Sequence, residues 1–447
     1  MNLRKIAKTY AETLPGPVAR MVARVPFGLR LGPAYGQARE LIAKVEAMEE
    51  KARTAWTLEH MRHAVERAYG KHRFYRAFYD RKRYCPSTLK TIAHFQDVPV
   101  VTKADLMEFG IDERSSPALG RLKLNTGGTH GEPLEFYVDR QAFAREWAHM
   151  HTIWIAHGYD YRHLKLTLRG HNLKDIPLRY NPVHNEYILN TYAPREAVAD
   201  ALAGLADLDN VKWLHGYPSV VADWCGWLHA NRLDVFVRFR SSLRGVLLGS
   251  EFPAPTYRST IERTTGAAII PWYGHSEMCI LAPEKGENIY KPMPTYGYAE
   301  AVDVDGGQTH LVGTSFWNTA SPFIRYDTGD GIEGKTRGHI LRRFSITDGR
   351  VGEFVTDRRG SSIGLTALIF GRHHPAFEKL RHVQVYQSRA GEIDVLVVPR
   401  KPDMAVKDIK DGFDFSAVEM GVSIHVLAEP VRTRSGKITL LVQEKPV

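Results

Sequence analysis

Cysteines and long apolar runs are scarce in this 447-residue sequence. The three cysteines, Cys85, Cys225 and Cys279, are scattered and odd in number, which indicates neither a disulfide framework nor a zinc cluster. No stretch approaches the ~18 consecutive apolar residues that a transmembrane helix needs. The basic N-terminus also lacks the continuous apolar run of a signal peptide. We therefore expect a reducing, cytoplasmic location.

Runs of five or six like charges are missing as well, although the chain is basic overall. Lys and Arg number 60 against 50 Asp and Glu, which gives a formal net charge of +10 and suits anionic partners. Zinc-finger spacings and RRM-type aromatic motifs do not occur, so we expect no nucleic-acid partner. The basic residues of segment 4–30 leave a peripheral membrane contact open, with core packing as the plainer explanation.

The remaining composition, 43% hydrophobic and 25% charged, is typical of a folded globular protein. Residues before about 80 are predicted to be mainly helical, because apolar residues recur at three- and four-residue spacing. From about residue 99 short β-rich runs alternate with helical stretches such as 195–207 and 218–231. This alternation is typical of parallel βαβ units. We therefore predict a mixed α/β (α+β) fold.

Changes in this pattern divide the chain into three predicted segments. Residues 1–60 form a helical N-terminal segment, and residues 61–348 form a large domain with βαβ sheets. Residues 349–447 carry further β-rich runs and form a smaller α+β domain. The boundary between the two domains is placed near 348–353, where Asp, Gly and Arg follow one another.

A glycine-rich segment at 126–133, Thr-Gly-Gly-Thr-His-Gly-Glu-Pro, directly follows a predicted strand. Its three glycines and two hydroxyls let the backbone approach an anion closely and direct N–H groups at it. No Gly-Lys-Ser/Thr sequence follows, so the segment is not a Walker loop. Taken alone, it fits a plain glycine turn as well as a phosphate cradle.

A second motif, Trp-Tyr-Gly-His-Ser-Glu at 272–277, follows an apolar run. The hydroxyl of Ser276 suits a phosphate contact, and the neighbouring Glu277 suits Mg²⁺, which prefers one or two carboxylates together with phosphate oxygens. The ring of Tyr273 offers a surface for stacking on a base. The alternative is that the motif is an ordinary loop at the end of a strand, with Glu277 exposed to solvent.

Three single residues complete the set of candidate motifs. Asp330 follows a glycine and can accept hydrogen bonds from two vicinal hydroxyls, as acidic residues do for ribose, although an Asp-capped turn looks similar. Arg350 is a permanent cation suited to ribose or phosphate. Lys437, in a Ser-Gly-Lys sequence near the C-terminus, places a mobile ammonium on a short loop. Each residue is ambiguous by itself.

In this order and at these spacings, the motifs resemble those of the adenylate-forming superfamily, which includes acyl-CoA synthetases, peptide-synthetase adenylation domains and luciferases. Within it, the sequence is similar to the phenylacetate–CoA ligase and CapK-type capsule-biosynthesis group. The resemblance also rests on segments 99–103, 214–219 and 248–251, and it covers roughly residues 60–447. It implies a large adenylation domain and a small C-terminal domain that rotates between half-reactions.

The resemblance also implies a two-step reaction. A carboxylate attacks the α-phosphorus of Mg·ATP to give acyl-AMP and pyrophosphate, and the acyl group then passes to a thiol, amine or hydroxyl. Lys437 would be the adenylation lysine, Ser276 would contact the α-phosphate and Glu277 would ligate Mg²⁺. The other implied nucleotide-binding residues are Thr126, Gly127, Gly128, Thr129, His130 and Gly131 for the phosphates, Gly249, Ser250, Glu251, Tyr273 and Gly274 for the adenine and acyl region, and Asp330 and Arg350 for ribose or phosphate.

The acyl pocket is expected between the glycine-rich segment and Glu277. Aromatic and polar residues there are the candidates: Trp147, Arg169, His171, Trp213, His215 and Tyr217. An aromatic pocket is the simplest interpretation, and Arg169 with His171 suits a polar or anionic substrate. For any single one of these residues, a structural role in the core is the alternative.

Several positions depart from the superfamily pattern and leave the acyl acceptor open. Gly127 stands where many members have Ser, His130 where they have Thr, and Asp327 where they have Arg. Gly352 and Glu353 replace a common Asp-Asp pair. CoA, an amine or hydroxyl in polysaccharide or secondary-metabolite biosynthesis, and an acidic carrier are all compatible acceptors. A degenerate nucleotide-binding protein and a homodimer also stay open.

Overall fold

The structure of the chain is a computed structural model. It describes residues 14–117, 120–126, 134–171, 173–304, 308–347, 354–365, 368–369, 374–399, 404, 406–416, 418–431 and 440–442. The predicted domain boundary near 348–353 lies outside these residues. Among the described residues, no helix has both the length and the apolarity needed to cross a membrane.

The N-terminal part is helical, as the apolar spacing predicts. Its helices are α1 (Gly16–Ala23), α2 (Phe27–Arg30), α3 (Pro33–Glu46), α4 (Glu50–Lys71), α5 (Arg73–Arg81) and α6 (Lys103–Met107). The sixth begins with a capping box, in which Thr102 Oγ1 accepts from the N–H of Asp105 and the Asp105 carboxylate accepts from the N–H of Thr102. A short hairpin of β1 (Leu122–Asn125) and β2 (Glu135–Val138) and the long helix α7 (Ala142–Ile155) follow.

A mostly parallel sheet forms the next part of the chain. Its strands are β3 (Leu164–His171), β4 (Leu178–Asn181), β5 (Glu186–Asn190), β6 (Val211–Gly216), β7 (Gly245–Leu248) and β8 (Ala268–Gly274). The helices between them are α8 (Arg195–Ala203), α9 (Pro218–Asn231), α10 (Leu233–Arg240) and α11 (Pro255–Thr265). Strands β5, β3, β6, β7 and β8 pair in parallel in that order, which confirms the predicted βαβ units.

Antiparallel strands extend this sheet to twelve. They are β9 (Leu281–Gly286), β10 (Ile289–Tyr290), β11 (Gly297–Val304), β12 (Gln308–Ser315), β13 (Tyr326–Arg337) and β14 (Ile340–Ile346). The order across the sheet is β11-β12-β13-β14-β10-β9-β8-β7-β6-β3-β5-β4. Strand β8 pairs parallel to β7 and antiparallel to β9, so it joins the two halves.

The C-terminal part has its own sheet, as its β-rich runs predict. Its elements are β15 (Phe354–Thr356), β16 (Ser362–Gly364), β17 (Leu380–Arg389), β18 (Glu392–Pro399), α12 (Val406–Lys410), β19 (Gly421–Val426) and β20 (Leu441–Val442). The four-stranded sheet has the order β19-β18-β17-β20. The mixed α/β architecture predicted from the sequence is confirmed.

The N-terminal helices share a core with the large domain. Phe27 of α2 and Ile42 of α3 are buried in one apolar cluster with Trp154 of α7 and Trp272 of β8. The predicted boundary between residues 60 and 61 falls inside α4. Apolar burial, the main favourable term in folding, therefore ties residues 27–42 to the sheet.

Candidate functional site

The predicted site residues lie where parallel strands end. Arg169 lies near the end of β3, Tyr217 follows β6, residues 249–251 follow β7, and residues 274–277 end or follow β8. Because the carboxyl ends of neighbouring parallel strands meet at one edge of a sheet, these residues are brought together. Ligands of open α/β sheets bind at such an edge.

Tyr273 and Asp330 come from different motifs and meet in the structure. The Tyr273 hydroxyl donates a hydrogen bond to Asp330 Oδ2 at 2.6 Å. Asp330 lies on β13, and its backbone N–H donates to Thr328 Oγ1 at 3.2 Å. The carboxylate predicted to bind ribose is therefore fixed by the tyrosine at the end of β8.

Glu277 is held in place by a histidine two residues earlier. Glu277 is 8% exposed, and its Oε2 lies 3.1 Å from His275 Nδ1. The backbone N–H of Ile280 donates to His275 Nε2 at 3.2 Å. A neutral imidazole has one donor and one acceptor nitrogen, so with Nε2 accepting, Nδ1 donates to Glu277.

Two hydroxyl-bearing residues flank this carboxylate. Burial raises the pKa of the Tyr326 hydroxyl well above its usual value, and the negative charge of Glu277 raises it further. Ser276 is exposed beside Glu277, where its hydroxyl is accessible to a ligand. A single oriented carboxylate beside an accessible hydroxyl fits Mg²⁺ brought in by a nucleotide, because phosphate oxygens and water complete its coordination.

The loop after β7 is built on close contacts. A Cβ atom at Gly249 would lie 2.5 Å from the ring of Trp272, so a side chain does not fit there. Ser250 has a φ of +72°, in the left-handed region. Ser219 donates to Glu251 Oε2 through its hydroxyl at 2.5 Å and its N–H at 3.2 Å. Burial raises the pKa of Glu251, and this carboxylate anchors the loop to the start of α9.

Some of the acyl-pocket candidates are brought together. The Arg169 guanidinium donates to Ser250 Oγ at 3.3 Å and lies 5.7 Å from the ring centre of Tyr217. Trp213 and His215 are both buried, at 0% and 2% exposure. The indole N–H of Trp213 donates to His163 Nδ1 at 3.2 Å. Arg169 is therefore the cation among these candidates that faces the loop after β7.

Thr126 lies at the base of the glycine-rich segment. Its N–H donates to the carbonyl of Leu134 at 2.9 Å, and its Oγ1 accepts from the N–H of Leu134 at 3.0 Å. These bonds join the two strands of the hairpin, β1 and β2, directly before and after the glycine-rich segment.

Asp327, which departs from the superfamily pattern, has hydrogen-bond partners within the chain. Its carboxylate lies 3.1 Å from His310 Nδ1 and accepts from the N–H of Gly329 at 2.8 Å.

Part of the predicted site lies outside the described residues. This applies to Gly127, Gly128, Thr129, His130, Gly131, Arg350, Gly352, Glu353 and Lys437 and to the side chain of His171. Their assigned roles stay predictions.

One site residue was not predicted from the sequence. Glu146 of α7 receives a hydrogen bond from Tyr296, and its pKa is raised by burial and lowered to a smaller extent by that bond and by His275 and Arg169. The carboxyl therefore lies within electrostatic reach of the strand edge. The available signal was a single acidic residue within the mostly apolar and aromatic stretch 142–155.

The fold of the chain is similar to that of solved proteins. No family model matches the chain. Its fold is similar to that of 2-hydroxyisobutyryl-CoA ligase in complex with 2-HIB-AMP and CoA, with a TM-score of 0.53, 19% identity, and coverage of 88% of this chain and 90% of that one. The same ligase in its postadenylation state gives a TM-score of 0.51 and 16% identity over 89% and 91% of the two chains.

A curated relative was also found. The chain is 22% identical to protein CapK of Staphylococcus aureus over an alignment of 262 residues that covers 54% of this chain and 55% of CapK. The match thus spans about half the length of that relative. The chain has the fold of the adenylate-forming superfamily.

Proposed function

We propose that the protein activates a carboxylic acid with Mg·ATP, releasing pyrophosphate and forming an acyl-AMP, and then transfers the acyl group to a nucleophile. The observation that carries this proposal is the 2.6 Å hydrogen bond between Tyr273 and Asp330. This bond joins two motifs that the sequence resemblance assigns to the same nucleoside. It lies at the edge of the sheet where Glu277 and Arg169 also lie.

The nucleotide would bind at this edge of the sheet, where its ribose, adenine and phosphates would each contact a residue of suitable chemistry. Asp330 would accept hydrogen bonds from the ribose hydroxyls, and the loop that begins at Gly249 would face the adenine. Ser276 would donate to the α-phosphate, and Glu277 would hold the Mg²⁺. The metal, when bound, offsets negative charge that develops on the phosphates.

The acid must approach an anionic phosphate, so its carboxylate needs a positive environment. Arg169 provides a fixed cation next to Ser250. Lys437 would supply a second, mobile cation between the substrate carboxylate and the phosphate oxygens, where it stabilises the charge of the transition state. Because this stabilisation is needed mainly in the transition state, removing Lys437 should lower the rate far more than ATP binding.

Pyrophosphate and AMP formation, followed by mass spectrometry, tests the proposal. Purified protein is mixed with Mg·ATP and a pooled library of aryl, fatty, amino and sugar acids. Acid-dependent pyrophosphate that is lost in Lys437→Ala but kept in Lys410→Ala, an exposed lysine of the same small domain, is the expected result. ATP binding without pyrophosphate from any acid would favour a degenerate nucleotide-binding protein.

CoA is the first acceptor that we propose, since the similar fold is that of a CoA ligase. A thiol acceptor predicts CoA-dependent AMP release and an acyl-CoA mass. The second candidate is transfer to an amine or hydroxyl, favoured by the similarity to CapK and by the sequence departures from the superfamily pattern. Acyl-AMP that accumulates without thioester in the presence of CoA would support this second candidate.

A further inference from the structure

The first two helices of the described chain carry large apolar side chains that face away from the core. Leu29 of α2 and Met21 of α1 are 77% and 68% exposed, more than any other large apolar residue that the structure describes. Val18 of α1 is 44% exposed. Isolated apolar residues are ordinary at a protein surface, whereas several together indicate an interaction site. We call these three residues, which lie within a stretch of twelve, the N-terminal apolar patch.

The inner sides of the same two helices are fixed to the fold. Ala19 and Ala23 are four residues apart on α1 and are both buried, whereas Val18 and Met21 lie on the other side of that helix. Phe27 of α2 is buried as well. Core packing, the plainer explanation for this segment, therefore accounts for the inner sides only. The outer sides are presented to the surroundings on an anchored support.

The charges next to the patch are almost all of one sign. Residues 13–39 contain four arginines and no acidic residue, and residues 1–12 add three basic residues against one acidic residue. Arg20 and Arg30 bind to other parts of the fold. Arg24, at the end of α1, is exposed, and its guanidinium makes no hydrogen bond or ion pair with the rest of the described chain. The patch is thus an apolar surface bordered by free positive charge.

This combination matches an anionic lipid surface. Segments that lie on a membrane insert apolar side chains at the boundary of head groups and acyl chains, while Lys and Arg contact the anionic head groups. The net charge of +10 attracts the whole chain to such a surface. A second copy of the chain fits less well, because a two-fold dimer would bring the patch and its arginines against their own like charges.

We propose that the outer sides of α1 and α2 dock on an anionic lipid surface. Val18, Met21 and Leu29 enter the boundary between head groups and acyl chains, and Arg24 contacts the lipid phosphates. The contact is peripheral and reversible, because two short helices offer few apolar side chains for insertion. It does not depend on the proposed function, since none of these residues belongs to the candidate site.

Co-sedimentation of the purified 447-residue chain with vesicles tests the docking. Vesicles of phosphatidylcholine alone are compared with vesicles that also contain about 30% phosphatidylglycerol, at about 0.1 M and about 0.5 M salt. We expect binding to the anionic vesicles at low salt, and binding at least about tenfold weaker to the neutral vesicles or at high salt. No binding to either vesicle, or equal binding to both, would overturn the proposal.

Substitutions in the patch separate docking from the general attraction of a basic protein to anionic lipid. Met21→Gln and Leu29→Gln each remove an apolar side chain that would be inserted, and each should weaken binding to the anionic vesicles about tenfold. Arg24→Gln should weaken it about fivefold, the contribution of one basic residue near an anionic surface. Binding that is unchanged in all three variants would show that net charge alone holds the chain to the vesicles, and would overturn the proposal.

Matched controls are available across the sheet. Helix α2 packs in the apolar cluster that contains Leu247 of β7, whereas α10 and α11 pack in the cluster that contains the neighbouring Val246. Because successive residues of a strand point to opposite faces, these helices lie on the face opposite to α2. Leu233→Gln, at a 52% exposed residue of α10, and Arg263→Gln, at an exposed residue of α11, should leave vesicle binding unchanged.

Measurements without lipid distinguish docking from self-association and from loss of folding. Met21→Gln and Leu29→Gln should have the Tm and the sedimentation coefficient of the wild-type chain, because both side chains are exposed. A wild-type dimer that Leu29→Gln converts to a monomer would assign the patch to a second copy and overturn the proposal. If an apolar substitution lowers the Tm, Arg24→Gln decides, since it removes only an exposed charge.

Discussion

His275 donates a hydrogen bond from Nδ1 to Oε2 of Glu277 across 3.1 Å. The backbone N–H of Ile280 occupies the other nitrogen of the ring, so the imidazole is fixed in orientation and in tautomer. A histidine held in this way orients the carboxylate without contacting the substrate, and it is therefore a positioning residue for the proposed Mg²⁺ ligand.

Replacing this histidine tests its positioning role. His275→Ala should raise the Mg²⁺ concentration needed for half-maximal pyrophosphate release by about tenfold or more, as is usual when a partner of a metal ligand is lost. Glu277→Gln should have a larger effect on the same quantity. The measurement is a Mg²⁺ titration at saturating ATP. A lower kcat with an unchanged Mg²⁺ dependence would contradict the assigned role.

The hydrogen bond of the Tyr273 hydroxyl leads to a separate prediction about the KM for ATP. Tyr273→Phe removes a hydrogen bond to the charged Asp330, a loss of about 1.5–3 kcal/mol for such bonds. We expect the KM for ATP to rise about tenfold or more with a small change in kcat, because the bond orders the ribose-binding carboxylate in ground and transition states alike. Asp330→Ala should raise KM further. Equal KM values for Tyr273→Phe and wild type would refute the coupling between the two motifs.

Much of this arrangement could be predicted from the sequence because it depends on local patterns. Helix α9 covers 218–231, the helical stretch predicted from the sequence, and the motif around Glu277 comes at the end of a strand because an apolar run precedes it. Contacts between distant residues could not be predicted this way. The pairing of Tyr273 with Asp330 needs β8 and β13 in one sheet, and the approach of Glu146 to the strand edge needs the packing of α7.

Substitution of Gly249 tests how tightly the backbone of the site packs against Trp272. Its Cβ would lie 2.5 Å from Trp272, so Gly249→Ala should lower the free energy of unfolding by about 1–3 kcal/mol through overpacking. Gly70→Ala is the matched control, because no atom lies within 4 Å of a Cβ there and alanine is favoured in a helix. Denaturant titration measures both. Equal stability of Gly249→Ala and wild type would show that the indole moves aside freely.

Buried neutral histidines make the stability of the protein sensitive to acid. His149 is 1% exposed, its Nε2 lies 3.1 Å from Thr295 Oγ1, and burial lowers its pKa to about 4. The unfolded chain binds a proton at this histidine below about pH 6.5, whereas the folded chain does not until about pH 4. The folded state therefore loses stability as the pH falls between these two values.

The expected slope follows from this single proton. The free energy of unfolding should fall by about 1.4 kcal/mol per pH unit on account of His149, or roughly 3 kcal/mol between pH 6.5 and 4. In His149→Gln the curve should be shallower by that slope over the same range. Urea unfolding at a series of pH values provides the measurement. Parallel curves for wild type and His149→Gln would mean that the histidine is already charged in the folded chain, with the hydrogen bond to Thr295 strong enough to offset the cost of burying that charge.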